Sequence, residues 1–324
     1  MILAGDVGAT KTMLGLFTSD NGSPSLISEQ TFRSATYPGL ADMVREFVPS
    51  GDRVKAACFG VAGAVINGSA EVTNLFWSVK AKDLEADLKI DRVSLINDLV
   101  ATGYGVARLT PKDYLVLNEG QAVPFANAAV IAAGTGLGEC TLHWDGNRYV
   151  PIPSEAGHAG FAAYYDTSLE LIRYLRSQGL HASVEHVLSG PGLLNIYQFV
   201  RSRGEFQESA AIAEKISAGD PAAVIARAAI ESECELCARA LEIFISAYGS
   251  EAGNLALRSV AVGGVYVDGG IARKILPGLP DGRFMSTFID KDRQSAMLSQ
   301  IPVRVVLSEQ TPLLGAVSYL MQLG

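Results

Sequence analysis

Along the chain, short apolar runs alternate with amphipathic stretches of helical period. Strand-like runs fall at Ile2–Asp6, Met13–Phe17, Val54–Val61, Val72–Asn74 and Val93–Ile96, and helical patterns lie near Leu40–Phe47 and Leu99–Leu109. Residues 129–144, AVIAAGTGLGECTLHW, predict a strand, a Gly/Thr turn and a second strand. Helices dominate from Ser168 to Tyr248, where Pro221–Tyr248 reads as one long amphipathic stretch. SVAVGGVYVDGGIARKI (259–275) predicts strand, Gly-rich turn and helix; IPVRVVLSE (301–309) predicts a late strand, and Leu313–Leu323 a terminal helix. Such alternation predicts an α/β fold.

One unit occurs twice. The opening stretch LAGDVGATKTMLGLF has the same strand–turn–strand form as 129–144, with turns centred near Gly8 and Gly136, and a third Gly-rich turn covers Gly263–Gly270. In open α/β folds ligands bind at the carboxyl ends of strands, where such turns fall. The first turn is not the common phosphate loop, because Gly5 and Gly8 are too close and no Gly-Lys pair occurs. Nor is it a dinucleotide fingerprint, since a strand and not a helix follows it. Its amides, the Thr10 and Thr12 hydroxyls and Lys11 could face a phosphate. An ordinary Gly-rich hairpin satisfies the same residues.

Composition narrows the partners. The 324 residues suffice for two domains. A net charge of −8 with no Lys/Arg cluster argues against nucleic acid. The apolar runs contain no membrane span, and the N-terminus has no basic and apolar leader, so a soluble cytoplasmic protein is expected. Cys58, Cys140, Cys234 and Cys237 are too few and too scattered for a disulfide framework, which suggests a reducing compartment. Cys234 and Cys237 form a C-x-x-C inside ESECELCARALEIF; without a second ligand pair, two buried cysteines on one helix face is the better reading than zinc.

The candidate chemistry lies in three segments. RVSLINDLVATGYG (92–105) puts Asn97 and Asp98 at a strand end before a helix. A helix N-cap explains one of them. A carboxylate at such an edge can also take a proton from an alcohol while a neighbouring amide fixes a second hydroxyl. PSEAGHAGF (153–161) offers Glu155 and His158, and SVEHVLSG (183–190) offers Glu185 and His186. Carboxylates and imidazole suit a polyol, whose hydroxyls need directed acceptors.

The motifs GDVGATKT, INDLVA, AAGTGLGE, SEAGHAGF, EHVLSGPGLLNIY, VAVGGVYVDGGIARKI and PLLGA, in this order and from end to end, resemble the bacterial-type ATP-dependent glucokinases of the sugar kinase/heat-shock chaperone ATPase/actin superfamily. The resemblance implies two actin-like (ribonuclease H-like) α/β domains flanking a cleft, a small one over residues 1–109 plus 309–324 and a large one over 110–308. It implies transfer of phosphate from ATP to the 6-hydroxyl of glucose at the entry of glycolysis, with Asp98 as general base and Asn97, Asp98, Glu155, His158 and Glu185 as glucose ligands. Gly5, Asp6, Val7, Gly8, Ala9, Thr10 and Lys11 would form the first ATP loop, with Asp6 near magnesium, directly or through water. Gly134, Thr135 and Gly136 would form the second, and the Gly263–Gly270 region, Gly263 and Gly264 among it, would border adenosine. Trp77 would lie beside the sugar, and a homodimer is expected. Ala9 and Ala156 stand where the family commonly has glycine, and no cysteine-rich zinc cluster follows His158. The ATP motifs do not choose the sugar, so a kinase for another hexose or amino-sugar is the alternative, and a non-catalytic sugar sensor a more distant one.

Overall fold

The computed structural model describes residues 1–20, 23–49, 51–72 and 75–323. The chain divides into two compact units, Met1–Thr110 with Asn147–Pro153 and Ser308–Gly324, and Pro111–Gly146 with Ser154–Leu307. The strands are β1 (Ile2–Val7), β2 (Lys11–Asp20), β3 (Ser23–Arg33), β4 (Ala56–Val61), β5 (Val65–Ile66), β6 (Ser69–Val72), β7 (Trp77–Lys80), β8 (Arg92–Asn97), β9 (Tyr114–Asn118), β10 (Ala128–Ala133), β11 (Leu137–Trp144), β12 (Tyr149–Ser154), β13 (Gly264–Asp268) and β14 (Val303–Val306). The helices are α1 (Leu40–Phe47), α2 (Ala81–Leu88), α3 (Asp98–Val106), α4 (Asp166–Ser177), α5 (Gly190–Ser202), α6 (Ala210–Ala218), α7 (Pro221–Ile230), α8 (Glu235–Ser259), α9 (Gly270–Lys274), α10 (Arg283–Ile289), α11 (Ser295–Leu298) and α12 (Thr311–Leu323).

In the first unit the sheet order is β3-β2-β1-β4-β8. β1 and β2 form the antiparallel hairpin, and β1, β4 and β8 run parallel. Parallel strands buried on both faces read as continuous apolar runs, as AACFGV does in β4. Alternation along β1 divides two cores. Leu3 and Val7 pack with Met43, Val44 and Leu84 from α1 and α2, while Ala4 packs with Ala101 of α3 and Leu313, Ala316 and Val317 of α12. α12 and α3 cross closely because Gly315 and Gly105 lack side chains: a Cβ on Gly315 would overlap the Ala101 carbonyl oxygen, and one on Gly105 that of Thr311. The terminal helix therefore belongs to the first unit by packing.

The second unit repeats the plan. β10 and β11 form an antiparallel hairpin, β10, β13 and β14 run parallel, and β9 joins the edge. Its core gathers Ile131 and Val267 of the sheet with Leu193 and Tyr197 of α5, Ile225 of α7 and Phe244 and Tyr248 of α8.

Three expectations change. β3 has no counterpart in the hydropathy pattern, because this edge strand is solvated and shows Leu26 and Ile27 to water, so no apolar run marks it. The strand expected at Val72–Asn74 is β6, which ends at Val72; Thr73 and Asn74 lie outside the described residues. The single helix expected over Pro221–Tyr248 is two. α7 ends at Ile230, Ser232 takes a left-handed φ of 58°, and Cys234 caps a new helix. Heptad-like hydropathy continues across the break, so periodicity alone does not register it.

Candidate active site

In the first unit the turn between β1 and β2 is held from behind. The Gly8 amide donates to Lys11 O at 3.0 Å, and the Ser34 amide donates to Thr10 O at 3.2 Å. Ser34 Oγ donates to Gly8 O at 2.7 Å and lies 3.0 Å from Thr12 Oγ1. Thr12 is fully buried, so its hydroxyl braces the turn and does not face a ligand. Gly5 is needed for packing, since a Cβ there would overlap the Phe59 ring. Thr10 and Lys11 are exposed at the tip, and Lys11 Nζ pairs with Glu309 Oε2 at 3.2 Å. Asp6 is half-buried, opposite Met13 of β2 and beside Gly60 of β4, and Val7 is buried.

Of Asn97 and Asp98, Asn97 takes the cap role that their position suggested. Asn97 is the N-cap of α3: its Oδ1 accepts from the amides of Leu99 at 2.9 Å and Val100 at 3.3 Å, and its Nδ2 donates to Gly63 O at 3.1 Å. Asp98 is the first helical residue, with Oδ1 accepting from the Leu99 amide at 2.9 Å. A carboxylate there is favoured by the positive end of the helix dipole. Gly60 lets the helix start lie on β4, since a Cβ would stand 2.9 Å from Ala101 Cβ.

In the second unit the backbone stitches two loops together. Phe161 donates to Ala182 O and Val184 to Ala159 O, each at 2.9 Å, and the Glu185 amide donates to Gly157 O at 2.9 Å. Glu155, His158 and Glu185 thus belong to one local assembly. Glu155 and His158 are exposed on a single 3-10 turn, where the His158 amide donates to Glu155 O at 3.0 Å. Ala156 leaves that turn intact, and the close approach falls on Gly157, whose Cβ would overlap the Leu137 carbonyl. His186 is engaged locally, its Nδ1 lying 2.7 Å from Ser183 Oγ.

The same segment grips the second Gly/Thr turn at both ends. Glu185 Oε2 accepts from the Leu137 amide at 2.9 Å, and the Gly190 amide donates to Gly134 O at 2.8 Å. Gly136 lies against Glu185, and a Cβ there would push the Oε2 carboxylate oxygen aside. Thr135 is exposed at the tip.

Gly263 and Gly264 lie elsewhere. Gly264 pairs with Ala128 at the start of β10, and the Gly263 amide donates to Asn127 O at 2.9 Å. The length of β13, roughly 13 Å, separates them from the turn edge. The glycines at that edge are Gly269 and Gly270, the far end of the same Gly-rich stretch. Gly269 has φ 96°, and a Cβ on it would overlap the Ala133 backbone. The signal was present in YVDGGIARK, where a strand ends directly in Asp-Gly-Gly and a helix begins. Trp77 is buried in the core of the first unit.

Among the described residues no three His, Cys, Asp or Glu side chains cluster as a metal site. A single carboxylate such as that of Asp6 fits magnesium, which keeps waters and takes its remaining oxygens from substrate phosphates.

The fold built on this duplicated hairpin-plus-parallel-strand plan superposes on solved structures of sugar kinases. A glucokinase from an Antarctic psychrotroph does so with TM-score 0.85 at 31% identity, over 99% of this chain and 98% of that one. A ROK family glucokinase from Streptomyces griseus, in complex with glucose and AMPPNP, shares the fold with TM-score 0.67 at 19% identity, over 100% and 99%. The family model Glucokinase matches residues 3–323, and a glucokinase of a Nostoc species is 42% identical over 98% of this chain and 97% of its own length. The chain belongs to the glucokinase family.

Proposed function

We propose that the protein transfers the terminal phosphoryl group of ATP to the 6-hydroxyl of D-glucose, with Asp98 as general base. The observation that carries this reading is full-length membership of the glucokinase family, 42% identical to the Nostoc enzyme. Phosphoryl transfer needs mainly positioning and charge neutralisation. In this reading Asn97, Glu155, His158 and Glu185 hold the sugar hydroxyls, and Asn97 can do so through the second hydrogen of its capping amide. Asp98 accepts the proton of the 6-hydroxyl, a contribution of roughly a hundred- to ten-thousand-fold in rate. The turns at Gly8–Lys11 and Gly134–Gly136 face the phosphates of ATP. Magnesium, held by Asp6 directly or through water, supplies charge neutralisation when bound.

The repeated strand order supports two actin-like domains, residues 1–109 with 309–324 and residues 110–308. Entry of glucose into glycolysis is the corresponding cellular role. No described helix is long and apolar enough to cross a membrane, and the four cysteines are free, which suits a cytoplasmic enzyme. Sedimentation equilibrium tests the proposed homodimer.

Coupled measurement of ADP release over a panel of sugars tests the function. Rapid release with glucose and poor release with its 2-epimer mannose are expected, because a paired hydroxyl discriminates strongly. Preferred turnover of mannose or an amino-sugar would reassign the substrate. Glucose binding without ADP release from any sugar would make the protein a sensor.

A further inference from the structure

The break between α7 and α8 changes the setting of the C-x-x-C pair. Cys234 does not lie on a helix face; it is the N-cap of α8, and its Sγ accepts from the Cys237 amide at 3.3 Å. Cys237 stands three residues on, one turn into the helix. Residues three apart on an α-helix have Cα atoms about 5 Å apart, inside the roughly 4.4–6.8 Å span of disulfides. Burial pushes the Cys237 thiol well above its usual range, and the adjoining Cys234 thiol adds to the shift. Both sulfurs are buried, yet Glu231, Ser232, Glu233 and Glu235 on either side of Cys234 are exposed. An attacking reagent therefore reaches Cys234 first.

We propose that Cys234 and Cys237 form a redox site, a dithiol that closes to an intrachain disulfide by exchange with a disulfide oxidant. Cys234, as thiolate, attacks one sulfur of the oxidant RS–SR, forming a mixed disulfide and releasing RS⁻. Cys237 then loses its proton and attacks Cys234 Sγ, forming the Cys234–Cys237 bond and releasing the second RS⁻. The pair gives up two electrons and two protons, and the oxidant becomes two RSH. The bond would lie behind Tyr197 of α5, the helix whose N-cap, Ser189, donates to Glu185 O at 2.7 Å. The proposal is independent of the reaction assigned above.

Trypsin cleavage after Arg227 and Arg239 yields residues 228–239, AAIESECELCAR, which holds both cysteines and no other. The folded full-length protein is incubated with excess oxidised glutathione, quenched in acid, unfolded, alkylated and analysed by mass spectrometry. The expected product is this peptide without alkylation and about 2 Da lighter, restored by dithiothreitol to the doubly alkylated form. Cys237→Ser should instead retain a glutathione adduct on Cys234. Recovery of the wild-type peptide with both sulfurs alkylated, or with stable glutathione on either, overturns the proposal, as does a disulfide that involves Cys58 or Cys140.

Discussion

Glu185 Oε2 accepts a hydrogen bond from the Leu137 amide at 2.9 Å, so a carboxylate assigned to the sugar also fixes the start of the strand after the second turn. Glu155 differs: it is exposed, and it lies on a turn that closes through its own backbone. Truncating the two should therefore differ in kind. Glu185→Ala should raise KM for both glucose and ATP, because it leaves the Leu137 amide unpaired and the turn unbraced. Glu155→Ala should affect glucose alone, lowering kcat/KM by about 1–3 kcal/mol in transition-state terms. Steady-state kinetics with each substrate varied checks both, and an unchanged ATP KM in Glu185→Ala would separate turn and sugar.

Asp98→Asn keeps the size of the side chain and removes the base. Glucose binding, measured calorimetrically without nucleotide, should stay within about tenfold, while turnover falls at least a hundredfold. The Leu99 amide still finds an acceptor in Asn97 Oδ1, so the helix start should survive the change. Turnover within a few-fold of wild type would remove Asp98 from the base role.

Lys11 pairs with Glu309 while both side chains are about half exposed, at 52% and 56%. Such a pair contributes about 1 kcal/mol or less to stability. If Lys11 serves the phosphates, Glu309 competes with ATP for it. Glu309→Gln should then lower KM for ATP by roughly two- to fivefold with little change in Tm, and Lys11→Ala should raise it. No response of KM to either substitution would mark Lys11 as a solvated lysine.

Glu139 of β11 is 1% exposed, and its Oε1 is buried without a hydrogen-bond partner among the described residues. Burial, with the charge of Glu251 beside it, raises its pKa to about 8 against the opposing pull of Arg258 at 3.0 Å. Tyr248 lies close enough to sense its charge, and the charge of Glu251 also reaches Lys291. An unfolded glutamate titrates near 4.3, so the folded state holds the proton more tightly. The stability from this group is complete below about pH 4.3 and is lost as pH rises through about 8. Glu208 and Asp220, whose pKa values are lowered, act with the opposite sign, so the comparison must be a difference between two proteins. The Tm of wild type minus that of Glu139→Gln should fall between pH 5 and 8. A constant difference would show that Glu139 is ionised throughout.

The legible part of the site was the part made by contiguous residues. Asp98, Glu155, His158 and Glu185 stand in short motifs, and the two hairpin turns repeat one pattern. What a short segment does not record is how each hydroxyl, amide or glycine is used. Thr12 looks like a ligand to phosphate in GATKT, yet Ser34, more than twenty residues on, draws its hydroxyl into the turn's support. Gly263-Gly264 and Gly269-Gly270 are equivalent as dipeptides, and only the direction and register of β13 put the second pair at the edge that carries the Gly134–Gly136 turn.

By itself, the sequence determined the α/β class, the duplicated strand–turn–strand unit, the terminal helix and the kinase family, because local periodicity and contiguous motifs specify these. Tertiary structure decided that Asn97 is a cap and Asp98 the first helical residue, that Glu185 serves a turn some fifty residues earlier, and that Cys234 begins a helix. Each of those outcomes depends on which backbone donor reaches which acceptor across the fold, and that pairing is set by packing of distant segments rather than by the neighbours of any residue in the chain.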